Sequence, residues 1–248
     1  MNQSTTEYQQ RLRNHAREVG HSLRRCYVDL FYADEVQRLP QGGRVLDLGG
    51  VRKSSMPGRF DIDHFPLDAV CLNILASANP HVIAGGDALP FGPATFDAVI
   101  CSEVLEHTRD PQAVLAEAWR VMKPKARLLI AVPFLYQIHA SPHDFGRYTD
   151  FYWRGALESQ GFVVERLEKQ GLYWSVMLDF IRLPIDRAAG TTRSVIWRKF
   201  LRAILRWPMA WARVWAVRTD AKLSVQQHPT LSTFTTGFGI VAYRPAAD

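Results

Sequence analysis

Only three cysteines occur in the 248 residues, Cys26, Cys71 and Cys101. They are odd in number, far apart and set among apolar neighbours. That excludes a disulfide framework and a cysteine-based metal cluster, fits a reducing, cytoplasmic compartment, and leaves no resident metal expected. No run of about 18 uncharged apolar residues is present, so nothing reads as a spanning helix. The opening residues, Met1-Asn2-Gln3-Ser4-Thr5-Thr6-Glu7, are polar and lead into no secretory signal pattern. A G-x-G-x-x-G turn is also missing. Gly49-Gly50 runs into Val51-Arg52-Lys53-Ser54, which excludes the usual nicotinamide-dinucleotide fingerprint. Internal repeats and low-complexity linkers are absent. Acid is scarce in one segment: Arg182 to Lys222 holds ten Lys/Arg against Asp186 and Asp220. It carries +8 in a chain whose net charge is +6, so the remainder carries −2.

The chain is 47% apolar, enough to bury a sizeable core. Residues 7–39 have apolar side chains at helical spacing (Leu12, Ala16, Val19, Leu23, Cys26, Tyr27, Leu30, Phe31), ended by Pro40-Gln41-Gly42-Gly43. Buried-strand patterns follow at 44–48, 69–74, 81–84, 97–102, 127–133 and 162–167. Asp110-Pro111 opens a helix that ends near Met122, and Thr149 opens one to about Gln160. Such alternation predicts an α/β fold, a doubly wound and mostly parallel sheet. The pattern breaks over about 172–230, and a last strand reads at 236–244. The expected organisation is a helical extension over 1–43 and a main domain over 44–248, with a helical insert before the last strand.

The densest stretch is 85–107. Asp87 follows an apolar run and two glycines; Leu89-Pro90-Phe91 makes a turn; Phe96-Asp97 opens an apolar strand; Ser102-Glu103-Val104-Leu105-Glu106-His107 closes it. Short apolar strands with polar C-terminal ends are how an open α/β sheet builds a ligand crevice. The order of these features resembles the middle of a class I S-adenosylmethionine-dependent methyltransferase. The resemblance covers about 44–170 and 235–244. It implies a seven-stranded Rossmann-like sheet whose last two strands are antiparallel, with S-adenosylmethionine as cofactor.

On that resemblance Asp47, Gly49 and Gly50 form the cofactor turn. Val51 and Lys53 stand where further glycines are usual. Asn73 takes the ribose-contacting position at the end of the second strand, with Asp61 and Asp63 as the second choice. Asp87, Ala88 and Leu89 match the adenine-contacting position. Ser102 and Glu103 face the cofactor's amino-acid end or the substrate. Glu106 and His107 hold the following loop.

After the fifth strand, His139-Ala140-Ser141-Pro142-His143-Asp144-Phe145-Gly146-Arg147-Tyr148-Thr149 is similar to an H-x-x-P-H-D-x-x-R-Y-T stretch of one bacterial methyltransferase subgroup, many of whose members act in surface-glycan or lipid-linked pathways. His143, His139 and Asp144 are the candidate catalytic residues, since histidine best takes a proton near neutral pH. Arg147 and Tyr148 are candidates for substrate binding, the alternative being a structural cluster that pins the next helix. The acceptor class is a small molecule, a glycan or a lipid-linked compound. A catalytically degenerate binding module is the second functional reading.

The basic insert holds four of the seven tryptophans, Trp197, Trp207, Trp211 and Trp215. Arg198, Arg202 and Arg206 recur every fourth residue, and Pro208 predicts a kink or restart. Basic and aromatic faces on one helix suit an anionic membrane interface, or else a packed cap or dimer contact. Nucleic acid is a poor partner, because no recognised motif accompanies the charge. The oligomeric state is left open.

Overall fold

The computed structural model describes residues 3–18, 21–52, 59–191 and 195–246; the side chains of 3–6, 185–203 and 205 fall outside that description. Lys53 and the side chains of Trp197, Arg198 and Arg202 therefore lie outside the described residues.

The strands are β1 (Arg44–Leu48), β2 (Asp68–Asn73), β3 (Val82–Ile83), β4 (Phe96–Ser102), β5 (Met122–Pro133), β6 (Val163–Gln170) and β7 (Gly237–Tyr243). They form one sheet in the order β3-β2-β1-β4-β5-β7-β6. β1 pairs in parallel with both β2 and β4, placing Leu48 between Leu72 and Cys101, while β4 runs parallel to β5. Lys125 N–H, early in β5, donates to the carbonyl of Arg244, just past the end of β7, and Arg244 N–H donates back to the Ala126 carbonyl. β5 and β7 therefore run in opposite directions, and the sheet is mixed. Reversal of strand order about β1 and β4 opens a crevice at their C-terminal ends, where such sheets bind ligands.

β5 starts at Met122, earlier than the sequence pattern suggested. The early residues, Lys123-Pro124-Lys125, are polar and hide the strand from an apolar reading; a register shift between Phe96 and Ala98 accommodates them. Helix α3 (Pro111–Val121) is capped by Asp110, whose carboxylate accepts from the Gln112 and Ala113 N–H groups. Its Val114, Leu115, Ala118 and Val121 pack with Leu46, Leu48, Val99 and Leu128 of the sheet. Helix α4 (Asp150–Ser159), capped by Thr149, adds Trp153, Ala156 and Leu157 to the same core.

The chain divides into two compact units, Met1–Leu30 with Lys169–Gly237, and Phe31–Glu168 with Phe238–Asp248. The first is helical, built on α1 (Gln3–Ala16), the first part of α2 (Leu23–Val36), α5 (Tyr173–Thr191), α6 (Val195–Asp220) and the short α7 (Leu223–Gln226). The continuous helical reading of 7–39 thus resolves into two helices. Ser22 and the distant Asp179 supply the break: the Asp179 carboxylate accepts from Leu23 and Arg24 N–H, capping α2 from 155 residues away. Asp220 does the same for α5, accepting from Leu172, Trp174 and Ser175 N–H. α6 continues through Pro208 without the expected restart.

Candidate active site

Two loops at the C-terminal edge of the sheet carry the chemistry. The first follows β1. Gly49 has φ +81°, and a Cβ there would overlap Val104; a Cβ on Gly50 would overlap the Asp47 carboxylate. Both positions therefore require glycine, the first for its left-handed backbone and the second for close approach. Asp47 is desolvated and faces the charges of Asp63 and Asp61, which together push its carboxyl up to about 7.

Asn73 sits beside this turn. Its amide donates to the Gly49 and Gly50 carbonyls at 3.0 and 2.9 Å, and its Oδ1 accepts from Leu75 N–H at 2.9 Å. An amide has two N–H donors, and here both hold the turn. Nearby, the Asp87 turn is clamped by α3. Arg120 donates to the Leu89 and Phe91 carbonyls, and Glu117 accepts from Leu89 N–H while pairing bidentately with Arg120. Asp87 and Ala88 are left exposed and Leu89 is buried. At the end of β4 the Tyr32 hydroxyl donates to the Cys101 carbonyl, and Glu103 holds a left-handed φ of +54°. A non-glycine residue there stores strain, which concentrates at functional sites.

The second loop follows β5 and is stitched to the turn after β4. Phe145 N–H donates to the Glu106 carbonyl, and His107 Nδ1 lies 2.6 Å from the His143 carbonyl. A carbonyl can only accept, so His107 carries its proton on Nδ1. Its Nε2 then faces Glu106 Oε1 at 3.6 Å, and His139 Nε2 faces the same oxygen at 3.9 Å. Glu106 is 1% exposed. The two imidazoles meet edge to face with ring centres 4.7 Å apart. Burial, then the charge of His107, lowers the His139 pKa and favours its neutral form.

The scan against known families matches residues 67–130 to a methyltransferase domain. The chain is 34% identical over 133 residues to the ubiquinone biosynthesis O-methyltransferase of Hahella chejuensis, covering 47% of this chain and 51% of that protein. It is 36% identical over 105 residues to the demethylmenaquinone methyltransferase of Renibacterium salmoninarum, covering 40% and 44%. The chain thus spans about half the length of the curated relatives it matches. Among solved structures, the [4+2]-cyclase SpnF superposes over 89% of this chain and 80% of that one, with TM-score 0.57 and 16% identity. That likeness concerns the fold alone.

Several residues singled out from sequence take other positions than expected. Asn73 is a brace of the glycine turn, because three backbone groups already engage its amide. Asp144 forms a bidentate pair with Arg147 and accepts from His139 N–H, which lowers its carboxyl pKa to about 2. A carboxylate that acidic is a poor proton acceptor, so Asp144 positions the loop. Arg147 also donates to the Gly146 and Gln137 carbonyls. These contacts make its guanidinium a clamp of the loop, the structural alternative named for Arg147. Tyr148 stacks on Tyr152 at 4.2 Å and edges onto Trp153, and so belongs to the packing of α4. His143 is exposed, and its carbonyl, through His107, ties the loop down. Glu117 and Arg120 were not foreseen. Their Glu-x-x-Arg spacing on one helix face was the available signal.

Proposed function

We propose that this chain transfers a methyl group from S-adenosylmethionine to a hydroxyl of a small, ring-bearing acceptor of the quinone-precursor kind. The observation that carries the reading is the convergence, at one sheet edge, of the Asp47-Gly49-Gly50 turn and the histidine loop. The acceptor oxygen forms a bond to the methyl carbon as the S–CH3 bond breaks, its electron pair passing to sulfur to leave S-adenosylhomocysteine. The hydroxyl proton passes to an imidazole, for which the exposed ring of His143 is the candidate. Holding the reactants in line provides most of the acceleration, up to roughly 7–11 kcal/mol in the best cases. Asp87 contacts the adenine amine beside Ala88 and Leu89, and Ser102 and Glu103 face the methionine end. The names of the relatives and the half-buried glycine turn, held by Asn73, support this reading.

The test is calorimetric titration with S-adenosylmethionine, then methyl transfer to a demethylated quinone precursor. Asp87→Ala is expected to weaken cofactor binding at least tenfold in a folded protein. No heat of binding to the wild-type chain would sink the reading.

We infer further that an anionic lipid surface presents the acceptor. On α6, Ile204, Trp207, Trp211 and Trp215 are 54%, 71%, 71% and 51% exposed and recur at helical spacing, with Arg206 and Arg218 also exposed. No helix is long and apolar enough to cross a membrane among the described residues. Vesicle co-sedimentation should rise with anionic lipid and fall with salt, as screening over roughly 8–10 Å requires. A chain that stays in the supernatant at low salt refutes this part alone.

A further inference from the structure

We propose that Glu106, His107 and His139 bind a divalent first-row transition metal ion, with zinc, manganese or iron(II) as the fitting class. The donor atoms of the three residues lie within 4.8 Å of one another. Their orientation says more than their proximity. His107 gives its Nδ1 proton to the His143 carbonyl, so its Nε2 presents a lone pair. His139 has its Nδ1 side against Asp144 Oδ2 at 3.4 Å, and the Gln137 carbonyl also accepts from that ring. Arg147 Nη2 also approaches that Nδ1, at 3.3 Å; in the tautomer that gives the Nδ1 proton to the Gln137 carbonyl, His139 Nε2 likewise presents a lone pair. Both lone pairs converge on one oxygen of a buried carboxylate, at 3.6 and 3.9 Å. In that state a cation between them meets all three donor atoms.

The surroundings are those of a ligand set. Metal-binding histidines typically pass their other ring proton to a backbone carbonyl or a carboxylate, which fixes the tautomer. Here His107 meets the His143 carbonyl and the His139 ring meets the Gln137 carbonyl, with Asp144 beside it. Asp144 is itself held by Arg147, and Glu106 is tied through its backbone to Phe145. Two imidazoles and one carboxylate suit transition ions and are a poor set for magnesium or calcium, which take oxygen ligands. A pairwise spread of up to 4.8 Å is wider than adjacent ligands at 2.0–2.2 Å bonds would show, so the loop would draw in by tenths of an ångström on binding. Three protein ligands leave open positions. One of them would take the acceptor hydroxyl, lowering its pKa and fixing its direction. That role rests on the proposed methyl transfer, whereas binding of the metal does not.

The test uses the untagged full chain, stripped with chelator and dialysed against Co2+ and separately Zn2+, without S-adenosylmethionine. The expected result is one equivalent of Co2+ with a visible d–d absorption band, displaced by Zn2+. His107→Ala, His139→Ala and Glu106→Gln should each weaken binding at least tenfold and abolish the band, with circular dichroism unchanged. If Glu106→Gln fails to fold, the two histidine variants decide. His143→Ala should keep the stoichiometry, because only the backbone carbonyl of that residue is used. Absence of stoichiometric binding to the wild-type chain, or binding undiminished in both histidine variants, overturns the proposal. Calorimetry with S-adenosylmethionine on the same metal-free sample tests the methyltransferase reading separately.

Discussion

The helical unit and the sheet unit both bury charge, and they use it differently. In the helical unit, Asp179 and Asp220 each receive backbone N–H groups at the start of a helix, and Arg213 donates to the Ala16 and His21 carbonyls. Each buried charge meets a group of complementary sign, so it reads as scaffold. At the edge of the sheet unit, Asp47 faces Asp61 and Asp63. Like meets like there. Such arrangements cost stability, and they mark where a ligand completes the set. Removing a charge should therefore destabilise the helical unit and leave the sheet unit as stable or more so.

Asp47→Asn gives the largest contrast. In the folded chain, burial and then the charges of Asp63 and Asp61 push the Asp47 carboxyl up to about 7, well above the ordinary carboxylate range. Between about pH 4 and 7 the folded state holds a proton that the unfolded state has lost, so this group's contribution falls as pH rises. Asparagine removes that dependence. The variant should gain stability over the parent from pH 5 to pH 8, by on the order of a few kcal/mol. Urea melts at the two pH values measure it, and an equal gain at both would show that Asp47 is not protonated in the fold.

Asp220→Ala should move the other way. It strips the acceptor from three backbone N–H groups at the start of α5 in a buried setting, costing about 3 kcal/mol. Cofactor affinity, measured above the concentration needed to keep the protein folded, should be unaltered. A stability loss under about 0.5 kcal/mol would mean that water replaces the carboxylate without penalty.

Much of this division was legible in the sequence, and the unreadable parts share a cause. The strands, the Asp110 and Thr149 caps and the glycine turn all announce themselves through periodicity or local chemistry. The break before α2 depends on Asp179 and the start of α5 on Asp220, partners far away in sequence that no local pattern reveals. The histidine loop shows both sides. Its residues stood out as a motif, but the motif did not say that Asp144 and Arg147 neutralise each other while Glu106, His107 and His139 converge. That sorting depends on which way each ring turns, and only the fold sets it.

Asn73→Asp sharpens the reading of the cofactor turn. If this side chain made the ribose contact, a charged acceptor would keep or improve binding. In the structure the side chain donates to two carbonyls, which a carboxylate cannot do. Two acceptor–acceptor contacts would push the Gly49–Gly50 turn away from β2. Cofactor affinity should fall about tenfold, or roughly 1.4 kcal/mol. Affinity that holds or improves would return the ribose contact to this side chain.

The smallest expected effect isolates the clamp on the Asp87 turn. Arg120 and Glu117 form a partly exposed pair, and such pairs contribute about 0–1 kcal/mol to stability. The contacts of Arg120 with the Leu89 and Phe91 carbonyls hold the turn at fixed height. Arg120→Lys keeps the charge and loses the planar fork that reaches both carbonyls and the carboxylate at once. Stability should change by less than about 0.5 kcal/mol, whereas cofactor affinity should fall two- to threefold, about 0.4–0.7 kcal/mol. The fall should lie in the dissociation rate, because a loosened turn lets go sooner without changing the approach. Should stability drop while affinity holds, the pair is scaffold of the kind the helical unit uses, and the adenine contact does not depend on how α3 holds the turn.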